Sequence, residues 1–132
     1  MKLKEILEIV LDYIIDFNPF LYRPEYKLGK YKTEIHKLDK DGWPSYPHLH
    51  VIDDRVKINI YTGEVYRITT KQMINELTDK DMKRLWNDRK FLENVLFARR
   101  NKPINVGKLE EIPYKWINDN NLEWVKEDDS IN

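Results

Sequence analysis

The chain has 132 residues, 35% of them charged, with 23 basic and 23 acidic side chains balancing to zero, and no cysteine. That length suffices for one domain with a packed core. The neutral balance argues against coating nucleic acid through bulk charge and leaves only a local basic patch, while the missing thiols exclude disulfides and thiolate metal sites.

The longest apolar stretch, Ile6–Ile15, is broken by Glu8 and Asp12. It falls short of the roughly 20 residues a membrane span needs. No small-residue cleavage site follows it, as a signal peptide requires. A cytoplasmic protein with no membrane contact is expected. Leu3, Ile6, Leu7, Val10, Leu11 and Ile14 recur at the spacing of one helical face, which predicts a helix from about Lys2 to Phe17 that packs on a sheet. Asn18-Pro19 ends it, because the residue before proline is pushed out of the α region. Phe20–Leu28, aromatic and interrupted by Pro24, reads as an irregular connection. Alternation over Lys30–Leu38 predicts the first strand of a sheet region covering residues 30–68.

Asp39-Lys40-Asp41-Gly42 is a turn by composition. Pro44 and Pro47 then stiffen an extended lead-in to His48-Leu49-His50. In a strand His48 and His50 share one face. That pair has three readings: two ligands of a divalent metal, an acid–base pair for phosphodiester cleavage, or strand-edge imidazoles bonded to carbonyls and carboxylates. A metal needs further ligands, for which His36, Asp53 and Asp54 are at hand. The pattern calls for no cofactor or metal by itself.

Val56, Ile58 and Ile60 alternate with polar residues and predict a half-buried strand, joined through Thr62-Gly63 to a strand Glu64–Ile68. A two-residue loop would pair Ile60 with Val65. A glycine bulge would pair Ile58 with Tyr66 and Val56 with Ile68, and buries more apolar surface, so it is the expected register. Lys71–Leu77 reads as a short helical turn. Thr78-Asp79-Lys80-Asp81 signals the start of one long helix over residues 78–100, with Met82, Leu85, Trp86, Leu92, Val95 and Leu96 as its apolar face and Arg89 within it. Residues 103–126 read as an extended cover and 127–132 as a frayed acidic tail.

The order Pro47-His48-x-His50, a meander containing Gly63-Glu64-Val65, and a Leu/Trp-rich helix ending in Ala98-Arg99-Arg100-Asn101-Lys102-Pro103 resembles a small uncharacterised bacterial family. Its members read Pro-Pro-His-x-His, then a strand pair, then a long helix followed by Gly-x-Pro. The resemblance covers about residues 47–103, and Tyr46 stands where the family has its first proline. Such proteins are often encoded in two-gene units resembling toxin–antitoxin modules. The resemblance therefore implies a component of a mobile or defence-type module, with the histidine pair as its site.

The expected architecture is α+β: a three- or four-stranded, mainly antiparallel sheet carrying two helices on one face. The expected function is a module component that meets a protein partner or RNA. As an enzyme it would cleave RNA, with His48 and His50 as acid and base and Arg55 or Arg89 stabilising the transition state. The alternative is a non-catalytic antitoxin, immunity or anti-defence factor acting through surface complementarity.

Overall fold

A computed structural model of the chain describes residues 2–7, 10, 23–36 and 39–131. It is α+β, built on a six-stranded antiparallel meander in which every strand pairs with its sequence neighbour. The strands are β1 (Glu25–Leu28), β2 (Tyr31–Ile35), β3 (His48–Val51), β4 (Val56–Asn59), β5 (Glu64–Arg67) and β6 (Met73–Glu76). The helices α1 (Asp79–Leu85), α2 (Arg89–Arg100) and α3 (Asp119–Ile131) follow, with a 3-10 turn at Tyr114–Trp116 before the last. No helix among the described residues is long and apolar enough to cross a membrane.

The alternation of side chains splits the sheet into two unlike faces. Tyr31 and Ile35, Leu49 and Val51, Val56 and Ile58, and Val65 line one face and are buried. Met82, Leu85, Trp86, Phe91, Leu92, Val95 and Leu96 of α1, α2 and their junction complete this core. The sheet curls around it, so that Asn75 of β6 donates to the Tyr31 hydroxyl of β2. The other face carries Glu34, His48, His50, Lys57, Asn59, Glu64 and Tyr66, which the strand registers set side by side.

Several elements differ from the sequence reading, each for an identifiable reason. The Phe20–Leu28 connection contains β1, and the turn expected over Lys71–Leu77 is β6. Both are edge strands, and β6 is exposed along its whole length, so it has no apolar face for periodicity to reveal. The single helix over 78–100 is two. Thr78 caps α1 by accepting from the Asp81 N–H. The chain then turns at Trp86-Asn87, and Asp88 caps α2 by accepting from the Phe91 N–H at 2.9 Å. The expected extended cover and frayed tail give way to α3 from Asp119 onward, held to α2 by Arg99–Asp129 at 3.0 Å and Arg100–Asp128 at 2.5 Å.

The hairpin register is neither of those weighed: Ile58 pairs with Val65 and Val56 with Arg67. The Asn59 side chain sets it, accepting from the N–H groups of Tyr61 and Thr62. Gly63 then closes the loop at φ +82°, where its missing Cβ also leaves room for Met82 Sδ. Of the helix expected over residues 1–17, residues 3–7 and 10 are helical, Lys2 is not, and the others lie outside the described residues. Leu3, Ile6, Leu7 and Val10 are exposed rather than packed on the sheet.

One buried network ties the helical side to the loop that crosses the polar face. The Tyr61 hydroxyl donates to the Tyr46 carbonyl at 2.8 Å and accepts from Arg99 at 3.0 Å. Burial pushes the Tyr61 phenol up to about 12, against the opposing pull of Arg99. Because the folded value is raised, the neutral phenol's contribution is complete below the unfolded value near 10 and is lost as pH climbs from there through the folded value. Replacing Tyr61 by Phe leaves the carbonyl and the guanidinium short of a partner, which costs about 1–3 kcal/mol in denaturant unfolding at pH 8. The gap between the two proteins narrows from pH 10 upward.

Candidate functional site

The polar face is roofed by residues 39–47, and the sequence shows why the chain turns there. Asp39 Oδ1 accepts from the Asp41 N–H at 2.9 Å, and Asp41 Oδ1 accepts from the Trp43 N–H at 3.1 Å. These are successive Asx turns, in which a short carboxylate replaces a backbone acceptor. The other Asp41 oxygen receives the Lys57 ammonium from β4. The Lys57 and Trp43 N–H bonds outweigh burial and hold the Asp41 carboxyl below its ordinary value.

The lead-in expected to be extended is a run of bends over 43–47, with both the Trp43-Pro44 and Tyr46-Pro47 peptides cis. Ser45 pins the bends by donating its hydroxyl to the Pro47 carbonyl at 2.8 Å and accepting from the Ile60 N–H at 3.3 Å. Asn59 adds a bond to the Pro44 carbonyl at 3.3 Å.

Under this roof the two histidines meet. His48 is 1% exposed and His50 24%, and both turn to Asp39, also 24% exposed. His48 Nδ1 lies 2.9 Å from the Ser45 carbonyl. A carbonyl oxygen only accepts, so Nδ1 carries the hydrogen and the neutral ring presents a lone pair at Nε2. That nitrogen sits 3.1 Å from His50 Nε2 and 3.3 Å from Asp39 Oδ2. His50 Nε2 is 2.8 Å from the same carboxylate oxygen.

Two ring nitrogens and one carboxylate oxygen thus converge on one point. A hydrogen on His50 Nε2 can satisfy one neighbour well, which leaves His48 Nε2 facing a carboxylate unless a cation lies between them. A His48 ring in its charged form donates Nε2–H to Asp39, and this bond, opposed by burial and aided by the Asp41 N–H and His50, holds the Asp39 carboxyl well below the usual carboxylate range. Burial lowers the His50 imidazole, partly offset by its bond to Asp39.

Of the residues singled out by sequence, His48 and His50 are brought into contact, and His36 joins them. Its ring stacks on His50 with centroids 4.3 Å apart while its Nε2 bonds Glu34 at 2.6 Å. Asp53, Asp54 and Arg55 lie in the β3–β4 turn, at the end of β3 away from His48. Arg89 opens α2 on the helical side, stacked at 3.8 Å on Trp124 and bonded to Asn121. The residue that sequence reasoning missed is Asp39, read only as part of a turn. The available signal was its position nine residues before His48, at the start of a run that had to fold back.

Beside the cluster, Glu34, His50, Lys57 and Tyr66 stand in register across β2 to β5. Trp43 leans over this row, 5.6 Å from the Tyr66 ring, with the exposed Lys71 ammonium 4.8 Å from its own centroid.

Replacing Asp39 by Asn removes the acceptor charge while keeping its shape. It lowers stability at pH 7 by about 1–3 kcal/mol. Since the folded carboxyl is depressed, the native contribution is complete above the unfolded value near 4 and fades as pH falls below it. Acid unfolding followed by circular dichroism therefore shows a shallower acid limb for the Asn variant. No protein-family model, curated protein or solved structure matches the chain, so the geometry of this cluster carries the functional argument.

Proposed function

We propose that the protein cleaves RNA at the polar face of its sheet, with Asp39, His48 and His50 as the reactive cluster. The observation that carries this reading is the convergence of two imidazole nitrogens and one carboxylate oxygen within 2.8–3.3 Å of one another, at the partly open edge of a roofed face. Such a cluster holds a positive charge between its three atoms and keeps a base beside it. In-line cleavage needs both: the RNA 2′-hydroxyl attacks the adjacent phosphorus, its proton passes to the cluster, and the 5′-oxygen leaves and is protonated from water.

The arrangement differs from an acid and a base set on either side of the phosphate. The two rings touch, with centroids 4.7 Å apart, and His48 is buried, so His50 is the histidine a substrate reaches. The half-exposed Trp43 and Tyr66 rings and the Lys71 ammonium support a single-stranded polyanion, since aromatic faces accept any base and a neighbouring cation takes its phosphate. This reading also fits the small module component implied by the His-x-His resemblance.

The test is incubation of the purified chain with an end-labelled single-stranded RNA and with its all-deoxy analogue. The expected outcome is cleavage of the RNA alone. It falls about 100-fold or more in His50→Ala, in line with disabling the cluster that accepts the 2′-hydroxyl proton, while the circular dichroism spectrum is unchanged. Intact RNA, or a His50→Ala variant as active as the native chain, contradicts the proposal.

A further inference from the structure

We infer that Asp39, His48 and His50 form a site for one divalent first-row transition ion of the zinc class. The inference rests on the reading above for the location of the reactive cluster, and it specifies what the cluster holds.

Four observations lead there. The first is the donor set: two imidazoles and a carboxylate suit zinc and its neighbours, whereas magnesium and calcium take oxygen ligands. The second is spacing. Ligand atoms about 2.0–2.1 Å from an ion lie about 3.3 Å apart in a tetrahedron and about 2.9 Å apart in an octahedron. The cluster's edges are 2.8, 3.1 and 3.3 Å, so one point lies at bonding distance from all three atoms.

The third observation is how the ligands are held. His48 gives its Nδ1 hydrogen to the Ser45 carbonyl, and Asp39 takes the Asp41 N–H on the oxygen that faces away from the cluster. Such outer bonds fix the tautomer of a ligating histidine and the orientation of a ligating carboxylate. The fourth is the buried Nε2 of His48, aimed at a carboxylate with no hydrogen of its own to offer in the neutral ring. An ion resolves that mismatch without charging the imidazole.

Behind these three stands a fourth donor. Ligand atoms of His36, Asp39 and His50 all lie within 4.8 Å of one another. Three protein ligands with His50 and Asp39 partly exposed leave a coordination position open to water or to a phosphoryl oxygen.

The experiment uses the full untagged chain, stripped with chelator. Co2+ is titrated in and followed by its visible absorption, and Zn2+ competition is read by calorimetry. The expected result is one ion per chain, with affinity reduced at least tenfold in Asp39→Asn and in His50→Ala, and less affected in His36→Ala. Asp39→Asn preserves side-chain shape, and circular dichroism of each variant confirms folding. Absence of saturable binding overturns the inference, as does binding unchanged in Asp39→Asn and His50→Ala. RNA cleavage by the chelator-treated chain, together with no saturable ion binding, overturns the metal and keeps the proposed function. One bound ion with RNA left intact keeps the metal and overturns the function.

Discussion

The hydrogen bond from His48 Nδ1 to the Ser45 carbonyl decides what the polar face can do. It is formed by a side chain with 1% exposure, so no water competes for it. Moving the ring hydrogen from Nδ1 to Nε2 would point a donor at His50 and Asp39 in place of a lone pair. The chain secures the bond by fixing both ends. His48 is held by its ladder to Asn59 on β4, and Ser45 by its own hydroxyl bonds to Pro47 and Ile60. Neither end is free to move without breaking contacts in a buried, low-dielectric setting, where an unmade bond is costly.

The rest of the fold serves this arrangement by dividing labour between the faces of one sheet. The concave face is apolar and buries the two short helices, which supplies the stability. The other face is polar and carries the chemistry under its own roof. The two sides communicate through the loop after β4. Ile60 receives the Trp86 indole hydrogen bond from the helical side and gives its N–H to Ser45. Tyr61 links Arg99 of α2 to the Tyr46 carbonyl. Asn59 spans the strand end and Pro44. The roof over the histidines is thus fastened to the core by three consecutive residues.

Much of this centre was legible in the residues. Alternation in Val56–Ile60 and Glu64–Ile68 marks the central strands because each has one buried and one polar face. The same rule correctly sets His48 and His50 side by side. The edges were not legible, since β1 mixes tyrosine with charge and β6 is exposed throughout, leaving pairing without burial. The break between α1 and α2 escaped because Trp86 and Leu92 continue an apparent apolar stripe, while the decisive residue, Asp88, acts through a cap. The last helix was hidden by Asn118-Asp119-Asn120-Asn121, which reads as a turn and in fact opens α3, whose Leu122 and Trp124 pack on the core. Asp39 was out of reach for a different reason: its role comes from a loop closing on a sheet face, a long-range fact that local pattern does not encode.

The most direct test of the account is a long-range 15N–1H NMR spectrum of the histidine imidazoles. The account predicts that His48 Nδ1 carries its hydrogen across the neutral range and that His48 Nε2 behaves as a bare or cation-bound nitrogen. A spectrum showing His48 as the tautomer with hydrogen on Nε2 and none on Nδ1 would contradict it, because the three electron pairs would then not converge.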